Sequence, residues 1–202
     1  RASSKASSET TWNAQHITKS VRNHCVNADQ VSDSAVTFSL YSWKSLHPPE
    51  TSDTAQAVTE QYINLYKSIQ VKNLDCNISI KPTHLGLDMG MKCAQDNILL
   101  LLKAAEKTDN YLRIDMESSA VTDDTIALYH QSKENYSDVG TVLQAYLYRS
   151  ENDLKILSQD SSFNFRLCKG IYRENMDIAI QDRHKINDNF ITLLNYAFEN
   201  SI

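Results

Sequence analysis

Arg166, Lys169 and Tyr172 crowd around one glycine, Gly170, in the stretch Phe165–Tyr172 (FRLCKGIY). With a period of two, Arg166 and Cys168 share one face of a strand and Leu167 takes the other. The guanidinium is then aimed at the side a core occupies, where an unpaired charge is costly. An anion or an inward carboxylate must meet it. Carboxylates with the matching alternation lie in Arg113-Ile114-Asp115-Met116-Glu117, where 113, 115 and 117 are charged and Leu112, Ile114 and Met116 are apolar. Lys81 closes another apolar run, and Gln144, which can both donate and accept, sits in a fourth. Such ends suit an anionic small molecule or cofactor bound at a charged mouth. A second chemistry fits the same lysines: Lys81 or Lys169, with its pKa lowered by burial and cationic neighbours, forms a Schiff base in an aldolase-type lyase.

The elements that carry these residues recur as strand, loop and helix about every 25 to 35 residues, the length of a βα unit. Strands are expected at Val36–Leu40, Asn77–Lys81, Tyr111–Met116, Gly140–Leu147 and Asn164–Ile171. Helical stripes are expected over Thr51–Ile69, Lys92–Lys107, Ile126–Tyr136 with Thr122 as N-cap, a short helix opened by Ser150 and Asp153 like a capping box, and Ile178–Phe198. Nearly continuous apolar strands with helices between them argue a parallel sheet covered by helices. Each strand ends in polar residues, as in barrels that gather their chemistry at the strand C-termini. No G-x-G-x-x-G occurs and the chain has 4 glycines, so a Rossmann or P-loop site is not expected.

A length of 202 residues with 41% hydrophobic content suits one domain, in two parts: an irregular segment over 1–34, with a short helix near Ile17–Cys25, and a partial barrel over 35–202. A formal charge of −5 without a basic run argues against a nucleic-acid partner. Cys25, Cys76, Cys93 and Cys168 lack C-x-x-C spacing and are read as reduced, buried thiols. None of the 6 histidines has metal-ligand spacing, so no metal is expected. The longest apolar run, Ile98–Leu102, is far short of the ~20 residues of a membrane span, which leaves a soluble or at most peripheral protein. The serine-rich Arg1–Ser20 vaguely suits a transit peptide, though a frayed fragment end is the preferred reading.

At four blocks the chain resembles the proline dehydrogenase family, flavoenzymes built on a (β/α)8 TIM-type barrel. They are Ser79-Ile80-Lys81 with Leu85-Gly86-Leu87-Asp88, then Arg113 to Ser118, then Val142 to Arg149, then Arg166 to Tyr172. The resemblance runs from about Ile78 to the C-terminus. It implies FAD as cofactor, L-proline as substrate, 1-pyrroline-5-carboxylate as product and a quinone as electron acceptor. It also implies a cytoplasmic protein, or alternatively a mitochondrial one in the matrix or at the inner membrane face, with room for peripheral membrane association.

By the same resemblance Lys81 contacts the substrate, and Asp115 is the active-site aspartate beside the flavin. Met116 and Gln144 touch the cofactor, and Arg166 lies next to the reactive flavin nitrogen. Lys169, Gly170 and Ile171 form the following cofactor-binding run, and Arg183 takes the place of a phosphate-binding lysine. Three features depart from the family: Tyr41-Ser42-Trp43-Lys44 replaces a Leu-Gly-Glu turn, and Cys168 and Ile171 stand where Val and Ala are usual. About five β/α units are expected where a barrel needs eight. The strand with a Thr-His pair and the helix with paired arginines are not found, so an incomplete barrel is expected, either a fragment or a non-catalytic copy.

Overall fold

A computed structural model describes residues 49–202. The expected strand Val36–Leu40, the helix near Ile17–Cys25 and the irregular segment over 1–34 lie outside the described residues.

The first described helix, α1 (Ser52–Val71), begins where Thr51 and Thr54 exchange hydrogen bonds: Thr51 Oγ1 accepts from Thr54 N at 3.3 Å and Thr51 N donates to Thr54 Oγ1 at 3.1 Å. Its apolar stripe buries Val58, Tyr66 and Ile69, and the Tyr66 hydroxyl donates to the Tyr111 carbonyl at 3.1 Å, tying the helix to the base of the sheet. Four βα units then follow: β1 (Ile78–Ile80) and α2 (Met91–Lys107), β2 (Leu112–Ile114) and α3 (Thr122–Asn135), β3 (Val139–Gln144) and α4 (Ser150–Leu157), β4 (Phe165–Cys168) and α5 (Arg183–Glu199).

The strands are parallel and lie side by side in chain order, β1-β2-β3-β4. A doubly wound sheet reverses its strand order at a switch point. Monotonic order with repeated crossovers leaves the helices on one side of a curved wall, the arrangement of a TIM-type barrel. The described residues form part of one, with four of its strands. Ile78, Ile80, Leu112, Ile114, Val139 and Leu143 face the helix layer and join Ile98, Leu101, Leu102 and Leu128 in the main core. Burial of this outer face stabilises the wall by about 25 cal/mol per Å² of apolar surface and leaves the inner face to polar side chains.

Register fixes which residues share that inner face. Ser79 pairs with Arg113, Arg113 with Gly140, Val142 with Arg166 and Gln144 with Cys168. Two residues further along β1 and β2 stand Lys81 and Asp115, level with Val142 and Arg166, so the inner face is built in layers.

Several expected boundaries are corrected. The strands end sooner than the apolar runs do, because Lys81, Asp115 to Glu117 and Ala145 to Leu147 turn into loops that carry side chains over the mouth. Thr122 is the first residue of α3 and Val121 its cap, while Thr122 Oγ1 donates back to the Ser118 carbonyl. Ser150 and Asp153 form no capping box: Arg149 holds the N-cap place, Asp153 accepts from Arg149, and Ser150 Oγ donates to the Gln144 carbonyl at 2.5 Å. Ile178–Ile180 belongs to a loop bridged through Ala179 to Leu147 in the loop after β3, and α5 starts after Asp182, whose carboxylate caps the amides of His184 and Lys185 at 2.9 Å.

Candidate active site

The C-terminal ends of the four strands open into a cavity of about 300 Å³. Lys81 reaches it from the end of β1, Asp115 and Met116 from β2, and Val142 and Gln144 from β3. Arg166 and Cys168 on β4, with Lys169, Gly170, Ile171 and Tyr172 beyond it, complete the lining. Eight of the nine residues singled out from sequence therefore converge. The ninth, Arg183, is exposed on the first turn of α5 and lies outside this lining.

The carboxylate required by Arg166 is Asp115. Arg166 Nη2 donates to Asp115 Oδ1 at 2.8 Å, and the Ser79 hydroxyl donates to the same oxygen in a short hydrogen bond. Strands β1, β2 and β4 are thereby joined at one atom, across Val142 of β3. In the layer below, Arg113 donates to the Thr141 carbonyl at 3.0 Å and to Asn164 Oδ1 at 2.8 Å, and lies over the Tyr111 ring at 5.0 Å from its centroid. Burial pulls the Arg113 pKa down and the Arg166 charge adds to that, while Tyr111 and Asp115 oppose it. Gly140 makes the layer possible: a Cβ there would stand 1.9 Å from the Tyr111 hydroxyl and 2.8 Å from Arg113 Nη1.

Beside the cavity, Glu117 is 6% exposed and both oxygens are used. Thr83 N donates to Oε2 at 2.9 Å and Thr83 Oγ1 to Oε1 at 2.8 Å, which pins the loop after β1 to the loop after β2. Burial raises the Glu117 pKa, against the pull of those two bonds and of Lys81. His84, 5% exposed, has an Nδ1 without a partner, and burial followed by the nearby Lys81 charge lowers its pKa. The Tyr172 phenol is pushed up to about 12 by burial and then by Glu117 and Asp115, so it stays protonated and able to donate.

Gln144 is 2% exposed. Its Nε2 donates to the Met116 carbonyl at 3.3 Å, while Oε1 is buried with no partner. An orphaned buried acceptor at a cavity wall calls for a donor on whatever fills the cavity. Gly170, at φ +101°, packs against the Tyr146 ring, where a Cβ would come within 2.2 Å of Cδ1. Sequence reasoning missed Ser79 and Thr83 as partners. A hydroxyl two residues before a strand-end lysine and one just after Pro82 were the available signals.

Comparison with known proteins bears on the family to which this fold belongs. A family model for proline dehydrogenase matches residues 27–186. The chain belongs to the proline dehydrogenase family. Proline dehydrogenase 2 of Bacillus subtilis (strain 168) is 34% identical over 140 residues, covering 69% of this chain and 46% of that relative. Proline dehydrogenase of Deinococcus radiodurans is 27% identical over 140 residues, 67% of this chain and 45% of the relative. The chain thus spans about half the length of the curated relatives it matches.

Among solved structures, proline utilization A of Bdellovibrio bacteriovorus, inactivated by N-propargylglycine, superposes with a TM-score of 0.69 at 20% identity. That match covers 77% of this chain and 21% of that one. A Bradyrhizobium japonicum proline utilization A variant gives 0.65 at 14% identity, over 77% and 20%. At such identities the likeness concerns the fold, and it agrees with an incomplete proline dehydrogenase barrel. The Schiff-base alternative gains nothing from it. Among the described residues no group of three or more His, Cys, Asp and Glu is placed to hold a metal, and no helix is long and apolar enough to cross a membrane.

Proposed function

We propose that this chain carries part of the site of an FAD-dependent proline dehydrogenase, which oxidises L-proline to 1-pyrroline-5-carboxylate in proline catabolism and passes electrons to a quinone. The observation that carries the reading is the convergence of Lys81, Asp115, Gln144 and Arg166 on one cavity from four strands.

The residues fit a flavin by their chemistry. The unpartnered Gln144 Oε1 would accept from a ring N–H, and its side chain is held for that by the Met116 carbonyl. Met116 offers an apolar surface beside it, while the Lys169–Ile171 backbone would approach the ring closely at Gly170. Arg166 supplies a fixed positive charge at the mouth, and Asp115 orients that guanidinium through its 2.8 Å bond. Lys81 would hold the carboxylate of proline as a point charge. Arg183 would reach the cofactor's pyrophosphate from outside the cavity. When bound, the flavin supplies the hydride acceptor.

In the reaction proline would lose a hydride from the ring carbon beside nitrogen to that acceptor and a proton from nitrogen to solvent, leaving the C=N bond of the product. Lys81 and Arg166 orient the substrate carboxylate and the developing negative charge, and buried side chains such as Met116 and Tyr146 restrict water. Cytoplasmic placement, with peripheral association near a membrane quinone, accords with this chemistry.

Titration of the chain with FAD, read by quenching of flavin fluorescence, tests the reading. Saturable binding that weakens at least tenfold in Gln144→Ala and Arg166→Ala, together with dye reduction driven by L-proline, supports it. Absence of binding at high micromolar FAD, with Lys81 trapped by borohydride on a carbonyl substrate, would replace it with the lyase.

A further inference from the structure

Glu174 stands outside the cavity yet fixes one wall of it. The segment after β4 leaves the sheet at Lys169, whose carbonyl accepts from Tyr146 N at 2.9 Å. It returns where Ile180 N donates to the Tyr146 carbonyl at 2.7 Å and Tyr148 N to the Ile178 carbonyl at 3.2 Å. Between these anchors it is widely exposed, Ile171 at 82% and Met176 at 78%. Midway, the Glu174 carboxylate uses both oxygens on one residue of the turn after β2: Ser119 N donates to Oε1 at 2.7 Å and Ser119 Oγ to Oε2 at 2.5 Å. The Glu174 carbonyl accepts in turn from Gln181 Nε2 at 3.2 Å, which bends the segment back on itself. Two charge-assisted bonds to a backbone and a hydroxyl donor resist local opening far more than an exposed ion pair does.

We propose that Glu174 is a positioning residue. By clamping the loop after β4 to Ser119, it sets where Ile171 and Tyr172 stand relative to Asp115 and Met116, and so controls flavin affinity without contact. The flavin part of this rests on the reading above; the clamp does not. The Ile171 and Tyr172 side of the cavity has no strand beneath it, whereas Lys81, Asp115 and Gln144 are held at strand ends. Between the backbone anchors at Lys169 and Ile180, the Glu174 carboxylate is placed to fix it.

Hydrogen exchange of the 202-residue chain, read by mass spectrometry, separates the two parts. In Glu174→Gln and in Ser119→Ala, peptides covering 169–178 should exchange about tenfold faster, with exchange in α2 and the thermal midpoint nearly unchanged. The flavin dissociation constant should rise about tenfold in each single variant with little further change in the double, as for one shared interaction. The absorption band of bound flavin should shift as well. Exchange within twofold of the parent overturns the clamp. Faster exchange with flavin affinity and spectrum unchanged overturns the positioning role and leaves a structural tie. A parent chain that binds no flavin overturns the cofactor reading, and the clamp is then decided by exchange alone. Should Glu174→Gln fail to fold, Ser119→Ala, which loses one hydroxyl, carries the same readings.

Discussion

Arg166 and Asp115, 51 residues apart in the chain, meet at 2.8 Å across β3, whose Val142 is the register partner of Arg166. The contact answers a demand visible in the β4 alternation, since a guanidinium turned to the inner face needs an acid there. Its contribution to stability is small because the Arg166 side chain is 42% exposed and well screened. A double-mutant cycle of Asp115→Asn and Arg166→Gln in urea should give a coupling below about 1 kcal/mol. Flavin affinity in the same variants should fall by about an order of magnitude or more, which amounts to at least ~1.4 kcal/mol of binding energy. A coupling of several kcal/mol in folding would mean that the pair serves the frame rather than the site.

Replacement of Gly140 tests the inner layer beneath the cavity. A methyl there meets the Tyr111 hydroxyl, the Asn164 carbonyl at 2.7 Å and the Arg113 guanidinium, all held in place by strands and ring contact. Gly140→Ala should destabilise the protein by about 1–3 kcal/mol, as overpacking does. Urea unfolding monitored by circular dichroism reads the loss, and a change within ~0.3 kcal/mol would show that the layer yields freely.

Asn97 on α2 donates to the Leu85 carbonyl at 3.0 Å within the core, and so holds the turn that follows Lys81. Asn97→Ala leaves that buried carbonyl unsatisfied, and a loss of about 1–3 kcal/mol in unfolding free energy is expected. Exchange of the amides in residues 82–90 should accelerate alongside.

His84 gives a pH dependence. Burial and then Lys81 hold its folded pKa below the ordinary 6.5, so the unfolded chain takes up a proton first as pH falls. Its contribution is complete above pH 6.5 and is lost as pH drops from there toward the folded value. The stability difference between the parent and His84→Phe should therefore shift against the parent between about pH 7 and pH 5. Glu117 runs the opposite way. Its raised pKa means that the folded state binds the proton first, and stability from this group falls as pH rises from 4.5 through the folded value. Equal pH profiles for the parent and His84→Phe would remove the burial argument for His84.

The fold was legible because apolar runs and helical stripes alternate in a fixed order, and the inner face that carries Lys81, Asp115, Gln144 and Arg166 because polar and charged residues occupy alternate positions at the strand ends. Less was legible where loops decide. The apolar residues Ile178 and Ile180 read as the start of a helix, yet Ala179 bridges Leu147 and the helix waits for the Asp182 cap. Local spacing does not reveal that Ser150 bonds to the Gln144 carbonyl six residues back instead of capping its own helix, because the shape of the loop after β3 decides between the two partners. Glu174 and Ser119, 55 residues apart, carried no pattern at all.

The split between the two faces of the wall has a bearing on how such a protein can change. Ile80, Ile114 and Leu143 take no part in lining the cavity, and Lys169 and Ile171 take no part in the main core. A library randomised at 81, 144, 169 and 171 should thus yield many folded members with altered ligand preference, whereas one at 80, 114 and 143 should yield few soluble members of any kind.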